Sequence, residues 1–506
     1  MSPPTYTLQI TFDRAKNLPV ADIRTLSCDP YVVASILVPD AEPLKFRTPT
    51  VHRTRDPTWD STWLVCGVPA SGFKLLMTLY DEDPNAKLSV DRQGKALAHF
   101  GPEEMKEGYE SIEKEYQLQK RRGDLHPYVL TYLSALLPGQ KLRKHNRVIA
   151  SVRVIRKDRG SAEGRGLFTL GPNNYSRHFS PLIGSMVNKR INKDALDVEV
   201  QKDGKGRDLS STTFIANKLQ LTGPVPPELR HRFVGYRPFI NWMFDDSGIA
   251  GRLLYYGLHR QHRSIYKCDK ATVWGVIDDT GVNINAPVKE KDLETPPKRS
   301  NSLWEPTPES SAALARAFLD MTSWGEGGKL FTYVITLDGE WRFTETGPEF
   351  AIDLLSKHSM HADLAKEIAY SGEFFVQRLQ GASQNGDALA ANGDATNGDA
   401  APNGDAVLSG EATTSGDATA TATSSPPARD PKDYELVIDN DSGTYRPKKE
   451  LLPLFERWLS DPRRLGGLGR VRAMDGFDKG LEKAKEERKK EKAALTAKPG
   501  KGKSSQ

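Results

Sequence analysis

Residues 21–94 begin with ADIRTLSCDPYV and end with YDEDPNAKLSVDRQG, and these two acidic ends decide how the first part of the chain folds. Each end adjoins an apolar segment that predicts a β-strand. Carboxylates that meet in one small volume raise each other's pKa unless a cation neutralises them, and carboxylate oxygen is a ligand that Ca2+ prefers. If the strands bring the two ends together, the sequence therefore predicts a cation site. The candidate ligands are the five aspartates of these ends, Asp22, Asp29, Asp81, Asp83 and Asp91.

The segments around these ends carry the alternation of half-buried strands. FKLLMTLY at 73–80 is more apolar and predicts a central strand, and VIASVRVIRK at 148–157 alternates again. Between them, residues 103–119 predict either a helix or a pair of strands, and residues 126–140 predict an inserted helix with a proline in its first turn. The first strand has four large apolar residues on one side, Tyr6, Leu8, Ile10 and Phe12.

The motifs of this region, taken in order, resemble those of a C2 domain. They are LQITFDRAKNLP near the start, DPYV at Asp29 to Val32, DPTW at Asp56 to Trp59, YDED at Tyr80 to Asp83, and finally Asp91. The resemblance covers Tyr6 to Lys157. It implies an all-β sandwich of eight antiparallel strands, whose loops at one end bind Ca2+ and contact anionic phospholipid.

The resemblance also implies roles for residues of the two acidic loops. The five aspartates named above become the Ca2+ ligands, and Ca2+ is the expected cofactor. Ser89 stands where the family's last aspartate normally falls and Asp91 follows two residues later, so that ligand position is open between them. The expected membrane contacts are loop-tip residues, namely Ile23, Arg24 and Leu26 in the first loop and Lys87, Leu88 and Val90 in the second.

The lipid site that the family carries on the concave face of the sandwich is expected to be weak in this chain. Arg47 is the one basic residue at the usual positions, which correspond to Val33, Ser35, Arg47 and Pro49. We therefore expect contact with membranes at the loop tips and not recognition of a phosphoinositide head group. The alternative is a C2 fold that binds no metal and serves to dock proteins.

Composition bounds the rest of the 506-residue chain. The hydrophobic content of 37% is low for one compact body and indicates disordered segments. The net charge of +5 is mild, so we expect no nucleic acid partner. Three widely spaced cysteines and the lack of an apolar leader predict free thiols in the reducing cytoplasm. No run reaches the length of a membrane span, so we expect membrane contact to be peripheral.

Residues 158–380 mix strand and helix patterns and predict an α+β domain. Asp338-Gly339 is a strong hairpin signal between two apolar segments. The whole chain resembles uncharacterised fungal C2 domain-containing proteins, which implies no chemistry for this region. The individual elements predicted here are a strand at 270–279, a hairpin at 330–347, a helix at 309–321, and two further helices at 349–357 and 361–379.

A catalytic site in this second region has little support in the sequence. His358 and His361 stand three positions apart, with Glu349 and Asp353 upstream, and such a set could hold Zn2+. The zinc-peptidase pattern needs histidines four apart with a glutamate between them, so histidines at a helix end or facing solvent are favoured. The chain has no G-x-S-x-G motif and no phosphate-binding glycine loop. Cys268 is expected to be structural, and we expect no enzyme.

The last quarter of the chain consists of three segments of different character. Residues 381–431 repeat NGDA and predict a disordered linker. Residues 432–475 predict a strand and an amphipathic helix that pack on the α+β domain, because they are too small to fold alone. An EF-hand-like spacing of acidic residues from Asp439 to Glu450 is a minor alternative there. Residues 476–506 predict a charged helix and a basic disordered tail, with a solvated face favoured over a hold on anionic lipid.

Three hypotheses from different classes follow. The first is a Ca2+-regulated peripheral membrane adaptor, recruited to anionic phospholipid by its C2 domain and holding an unidentified protein partner. The second is a Ca2+-independent scaffold that uses the C2 fold for protein interaction. The third is an enzyme brought to lipid, with its chemistry near His358 and His361. The two acidic loops favour the first.

Overall fold

The structure is a computed structural model, and it describes thirteen stretches of the chain. Most tip residues of the two acidic loops, the NGDA repeats and the region of His358, His361 and Cys268 lie outside the described residues. The described residues are 4–21, 26–39, 41–82, 91–119, 145–158, 166–180, 214–235, 238–244, 247–266, 272–277, 306–346, 366–379 and 429–496.

The first part of the chain is an antiparallel β-sandwich, as the sequence predicted. One sheet has the strand order β7-β8-β1-β4-β9 and the other has the order β3-β2-β5-β6. The eight expected strands are joined by a ninth short strand, β9, at the edge of the first sheet. The strands are β1 (Thr5–Lys16), β2 (Pro30–Leu37), β3 (Leu44–Arg47), β4 (Thr58–Pro69), β5 (Phe73–Asp81), β6 (Asp91–Phe100), β7 (Glu110–Gln117), β8 (Arg147–Lys157) and β9 (Phe168–Gly171).

The core of the sandwich follows the alternation of its strands. Phe46 on β3 lies between the rings of Phe12 and Trp63, with ring centroids 5.8 and 5.4 Å away, so the two sheets are joined by stacked aromatic side chains. Leu8 and Ile10 on β1 are fully buried on the same side. Burial of this aromatic and aliphatic surface stabilises the sandwich.

Residues 103–119 contain a strand, which resolves the choice that the sequence left open. Their charged residues lie at the solvent side of β7, where Glu113 pairs with Arg14 of β1. Tyr116 is the buried residue of the same strand. The helix expected at 126–140 falls outside the described residues.

The second part of the chain is built on one mixed sheet of eight strands, with the order β13-β10-β11-β15-β14-β17-β18-β19. Neighbouring strands of this sheet are antiparallel, except for β18 and β19, which are parallel. These strands are β10 (Asn173–Ser180), β11 (Phe214–Gln220), β13 (Thr272–Ile277), β14 (Phe331–Ile335), β15 (Glu340–Glu345), β17 (Tyr370–Arg378), β18 (Tyr434–Asp439) and β19 (Arg470–Met474), and a separate ribbon pairs β12 (His231–Arg232) with β16 (Glu367–Ile368).

Five α-helices accompany this sheet in the described residues, so the α+β prediction is confirmed. Leu314 and Phe318 of the third helix are buried in the main core, where Phe318 stacks on Trp341 with 5.1 Å between ring centroids. Gly339 has a φ of +81° at the tip of the predicted hairpin. The helices are α1 (Pro238–Phe244), α2 (Gly248–Tyr266), α3 (Pro308–Met321), α4 (Leu452–Leu459) and α5 (Lys479–Thr496).

The helix expected at 361–379 is wrong for its described part, residues 366–379. That part forms β16 and β17, and β17 pairs with β14 on one side and β18 on the other. Tyr370, Phe374, Phe375 and Val376 are all buried, so both faces of the strand are covered and no helical stripe remains. Gly372 allows Asp439 of β18 to approach its backbone closely. The helix expected at 349–357 lies outside the described residues.

The C-terminal elements complete the sheet and are part of its core. β18 is a central strand, and α4 buries Phe455 against the ring of Tyr370, with 3.9 Å between centroids. The EF-hand-like interpretation of Asp439 is also wrong, because its buried carboxylate accepts the backbone N–H groups of Glu373 and Asp441 and pairs with Lys485.

The charged helix α5 is docked on the domain and is not simply a solvated face. Lys485 donates to Glu373 at 2.9 Å and pairs with Asp439. The guanidinium of Arg488 lies 4.4 Å from the ring centroid of Phe375, and Lys492 donates to Glu345 at 2.6 Å. Three basic residues of this helix therefore attach it to the second sheet. Fewer basic residues of α5 remain that could contact a lipid surface.

Candidate calcium and membrane site

Three adjacent strands bring the acidic positions of the sandwich to one end. Asp29 immediately precedes β2, Asp81 ends β5, and Asp91 begins β6. In the strand register Pro30 lies opposite Asp81, and Asp81 lies opposite Asp91. The two acidic segments that are far apart in sequence are therefore neighbours in the fold, as the first hypothesis requires.

Asp29 and Asp81 are in direct contact. The backbone N–H of Asp29 donates to Oδ1 of Asp81 at 2.6 Å, and the N–H of Glu82 donates back to the carbonyl oxygen of Asp29 at 2.8 Å. Asp81 is 4% exposed, whereas the side chain of Asp29 keeps 23% of its surface. The pair places one buried and one accessible carboxylate at the end of the sheet.

Two hydrogen-bond donors compensate the Asp29 carboxylate. The backbone N–H of Arg53 donates to its Oδ1 at 2.6 Å, and Nδ1 of His52 lies 3.4 Å from its Oδ2. Burial favours the neutral acid, but these two hydrogen bonds prevail and lower the pKa of Asp29. The same contact raises the pKa of His52. Sequence reasoning missed His52, although it stands in the segment that connects the two acidic loops.

Cys28, the residue before Asp29, is a structural thiol. It is buried, and its Sγ donates to the carbonyl oxygen of Thr54 at 3.0 Å. Burial, reinforced by the charge of Asp81, raises the pKa of Cys28 strongly, so this thiol is not a nucleophile. Cys28 and Cys66 are both buried, and neither forms a disulfide bond, as the sequence predicted.

The other predicted site residues are less fully described. Asp22, Asp83, Ser89 and the side chain of Asp91 lie outside the described residues, as do the tip residues Ile23, Arg24, Lys87, Leu88 and Val90. Leu26 is described, half-buried and with a φ of +51°. Within the described residues no group of three or more metal-binding side chains occurs. Asp29 and Asp81 nevertheless bring carboxylate oxygens to the same end of the sandwich, and oxygen is the donor type that Ca2+ prefers.

Arg47, the expected basic residue of the concave face, makes contacts within the molecule. Its guanidinium lies 3.8 Å from the ring centroid of Tyr31 and donates to Glu82 at 3.1 Å. It also lies 5.4 Å from the ring centroid of Trp274, which belongs to β13 of the second sheet. Lys45 lies on the same face, because it pairs across the strands with Ser35. Sequence reasoning missed this further basic residue. The second domain therefore borders the concave face at Arg47.

None of the described helices combines the length and the apolar character that crossing a bilayer requires.

Comparisons with known proteins identify the first domain. Residues 6–118 match the family model of the C2 domain, which confirms the resemblance. No curated protein matches the sequence significantly. The fungal resemblance of the whole chain stays a prediction.

Several solved structures are similar to part of this chain, at low sequence identity and low TM-score. A C2 domain of plant extended synaptotagmin 1 is 13% identical, with 31% of this chain and 98% of that chain covered and a TM-score of 0.23. Human GIVD cytosolic phospholipase A2 is 19% identical, with 35% and 19% covered and a TM-score of 0.21. The RIM C2 domain from Drosophila is 24% identical, with 19% and 85% covered and a TM-score of 0.16.

Proposed function

We propose that this protein is a peripheral membrane adaptor whose C2 domain binds anionic phospholipid when Ca2+ is present. The hydrogen bond between the Asp29 backbone and the Asp81 carboxylate supports the proposal most directly, because it joins the two acidic loops at one end of the sandwich. The match of residues 6–118 to the C2 domain is consistent with lipid binding.

The acidic end acts by changing its charge. Without a cation, the carboxylates of Asp29 and Asp81 repel the phosphates of an anionic bilayer. Asp29 and Asp81 would hold Ca2+ together with Asp22, Asp83 and Asp91 or Ser89, and the bound ion supplies the positive charge that lipid phosphate requires. Leu26 and the other tip residues, Ile23, Arg24, Lys87, Leu88 and Val90, then meet the bilayer surface. Binding of this kind is peripheral and reversible.

The second domain is proposed to hold a protein partner and to carry no catalysis. Its described interior is apolar and aromatic, and the buried ion pairs of Lys485 serve to attach α5 to the sheet. A role for His358 and His361 as a metal or catalytic pair belongs to the competing enzyme hypothesis, and those residues lie outside the described part of the chain.

The test is co-sedimentation of the full chain with vesicles of phosphatidylserine and phosphatidylcholine, in Ca2+ and in chelator. The variant Asp29→Asn/Asp81→Asn keeps the size of both side chains and removes their charge. Glu110→Gln is the matched control, because Glu110 is an exposed carboxylate of the same domain that pairs with Arg153 at 3.5 Å.

We expect Ca2+ to increase binding of the wild-type chain and of Glu110→Gln by about tenfold or more, and to leave the double variant unchanged. Equal sedimentation of the wild-type chain in Ca2+ and in chelator would reject Ca2+ regulation. It would favour the scaffold hypothesis, in which the C2 fold docks a protein.

A further inference from the structure

Helix α2 exposes large apolar side chains along one side. Ile249 is 83% exposed, Leu253 is 73% exposed and Tyr256 is 60% exposed. Their spacing of four and three residues places them on one face of the helix. Exposed apolar groups that form a continuous stripe mark an interaction surface, whereas scattered ones are ordinary.

The opposite side of the same helix is the one that holds it to the domain. Leu258 is 6% exposed, and it packs together with Leu254 against a cluster that includes Phe244 of α1 and Tyr445. The helix is therefore fixed in place by one apolar side and presents a second apolar side to solvent. A soluble surface helix needs only the first of these.

The charge of α2 is entirely positive. The sequence from Gly248 to Tyr266 contains three arginines and two histidines but no aspartate or glutamate. Arg252 is exposed and directly precedes Leu253. Aromatic and aliphatic residues combined with arginine on one helix are the features of a segment that lies in the interface of an anionic bilayer.

We propose that α2 is a second membrane contact, which lays Ile249, Leu253 and Tyr256 into the surface of an anionic phospholipid bilayer without needing Ca2+. The bilayer is favoured over a protein partner by charge complementarity, because an all-positive helix suits a surface of lipid phosphates. Trp242 of the adjoining helix α1 is 37% exposed and adds an aromatic side chain of the kind found at bilayer interfaces. The proposal extends the membrane function proposed above but does not depend on the aspartate site.

The position of α2 in the chain agrees with this assignment. Five residues separate its end at Tyr266 from β13, whose Trp274 borders Arg47. Arg47 in turn pairs with Glu82, the residue before Asp83 of the second acidic loop. The carboxyl end of α2 is thus connected by a short path to the end of the sandwich that is proposed to meet the bilayer.

The experiment measures binding of the full chain in chelator, so that the Ca2+ site does not contribute. Vesicles of phosphatidylserine and phosphatidylcholine are compared with vesicles of phosphatidylcholine alone. The test variant is Ile249→Glu/Leu253→Glu, and the matched control is Phe477→Glu, because Phe477 is a 76% exposed apolar residue of the same domain outside α2. Circular dichroism and the melting temperature check that each variant is folded.

We expect the wild-type chain and Phe477→Glu to bind the anionic vesicles in chelator. The α2 variant should bind the same vesicles at least about tenfold more weakly. Chelator removes Ca2+ from the aspartate site, so binding that persists in chelator and is lost in the α2 variant separates the present proposal from the Ca2+ site. Equal binding of a folded α2 variant would overturn the proposal. So would a wild-type dimer, detected by sedimentation velocity, that the α2 variant loses while lipid binding stays unchanged.

Discussion

The backbone N–H of Asp29 donates to the carboxylate of Asp81 across 2.6 Å, although 52 positions separate the two residues in the chain. The bond forms because β2 and β5 are neighbouring antiparallel strands, and Pro30 and Asp81 face each other in their register. Two acidic loops are thereby held at one end of the sandwich, where the sequence expected a shared cation.

A first prediction concerns the thermal stability of the protein in Ca2+. Since a ligand that binds only the folded state stabilises it, Ca2+ at about 100 times its dissociation constant adds about 2.7 kcal/mol to the free energy of unfolding of the C2 domain. Asp81→Asn should lose this gain, and Glu110→Gln should keep it. Differential scanning calorimetry with and without Ca2+ measures both, and an equal upward shift in Asp81→Asn would contradict a ligand role for Asp81.

A second prediction concerns Arg47. Its guanidinium is engaged by Tyr31, Glu82 and Trp274, so we expect Arg47→Ala to lower the free energy of unfolding by about 2 kcal/mol. Because that guanidinium is already occupied, the same variant should not change the preference for vesicles containing phosphatidylinositol 4,5-bisphosphate over those containing phosphatidylserine. Urea unfolding gives the first quantity and co-sedimentation gives the second. A selective loss of bisphosphate binding would instead make Arg47 a head-group ligand.

A third prediction distinguishes the observed strand from the helix expected at 361–379. A Cβ at Gly372 would lie 2.2 Å from the carbonyl oxygen of Asp439, so Gly372→Ala should destabilise the second domain by about 2 kcal/mol or more. In a helix the same change would stabilise the chain by about 1 kcal/mol. Gly257→Ala in α2 is the matched control, because nothing lies within 4 Å of its added Cβ. If Gly372→Ala stabilised the protein, the result would contradict the strand and favour the helix predicted at 361–379.

Local signals explain why some elements could be predicted from the sequence. Asp338-Gly339 fixes a hairpin through the backbone preferences of two residues, and the predicted hairpin is present. The alternation of Leu8, Ile10 and Phe12 likewise gave a strand with the correct buried side. In such cases the residues that decide the structure are the ones that form it.

Other features depend on partners far away in the chain. β17 is a strand because β14 and β18 cover its two edges, and β18 follows it only after the NGDA repeats. Its own residues 366–379 also permit a helical pattern, so no local rule could have chosen correctly. The contact of His52 with Asp29 and that of Arg47 with Trp274 were missed for the same reason. The meeting of the acidic loops was foreseen because family motifs, and not local propensity, indicated it.

A fourth prediction tests the docking of helix α5. Lys485 pairs with the fully buried carboxylate of Asp439 and with Glu373, and burial raises the pKa of Asp439 despite that pairing. Lys485→Met should therefore lower the free energy of unfolding by about 3–5 kcal/mol, because it leaves a buried charge without its partner. Lys483→Met is the matched control, since the side chain of Lys483 is 79% exposed and its ion pair with Glu487 is long, at 4.0 Å. Its effect should stay within about 0.5 kcal/mol.

The pH dependence of stability gives a separate test of the same contact. Burial alone would lower the pKa of Lys485, but Asp439 and Glu373 raise it above its ordinary value of 10.5. A raised pKa means that the folded protein holds this proton more tightly than the unfolded chain does. The stabilisation is therefore complete below pH 10.5 and is lost as the pH rises through the higher folded value. Urea unfolding between pH 8 and pH 11.5 should show the wild-type protein losing stability at the alkaline end relative to Lys485→Met, and parallel curves for the two proteins would contradict the pairing.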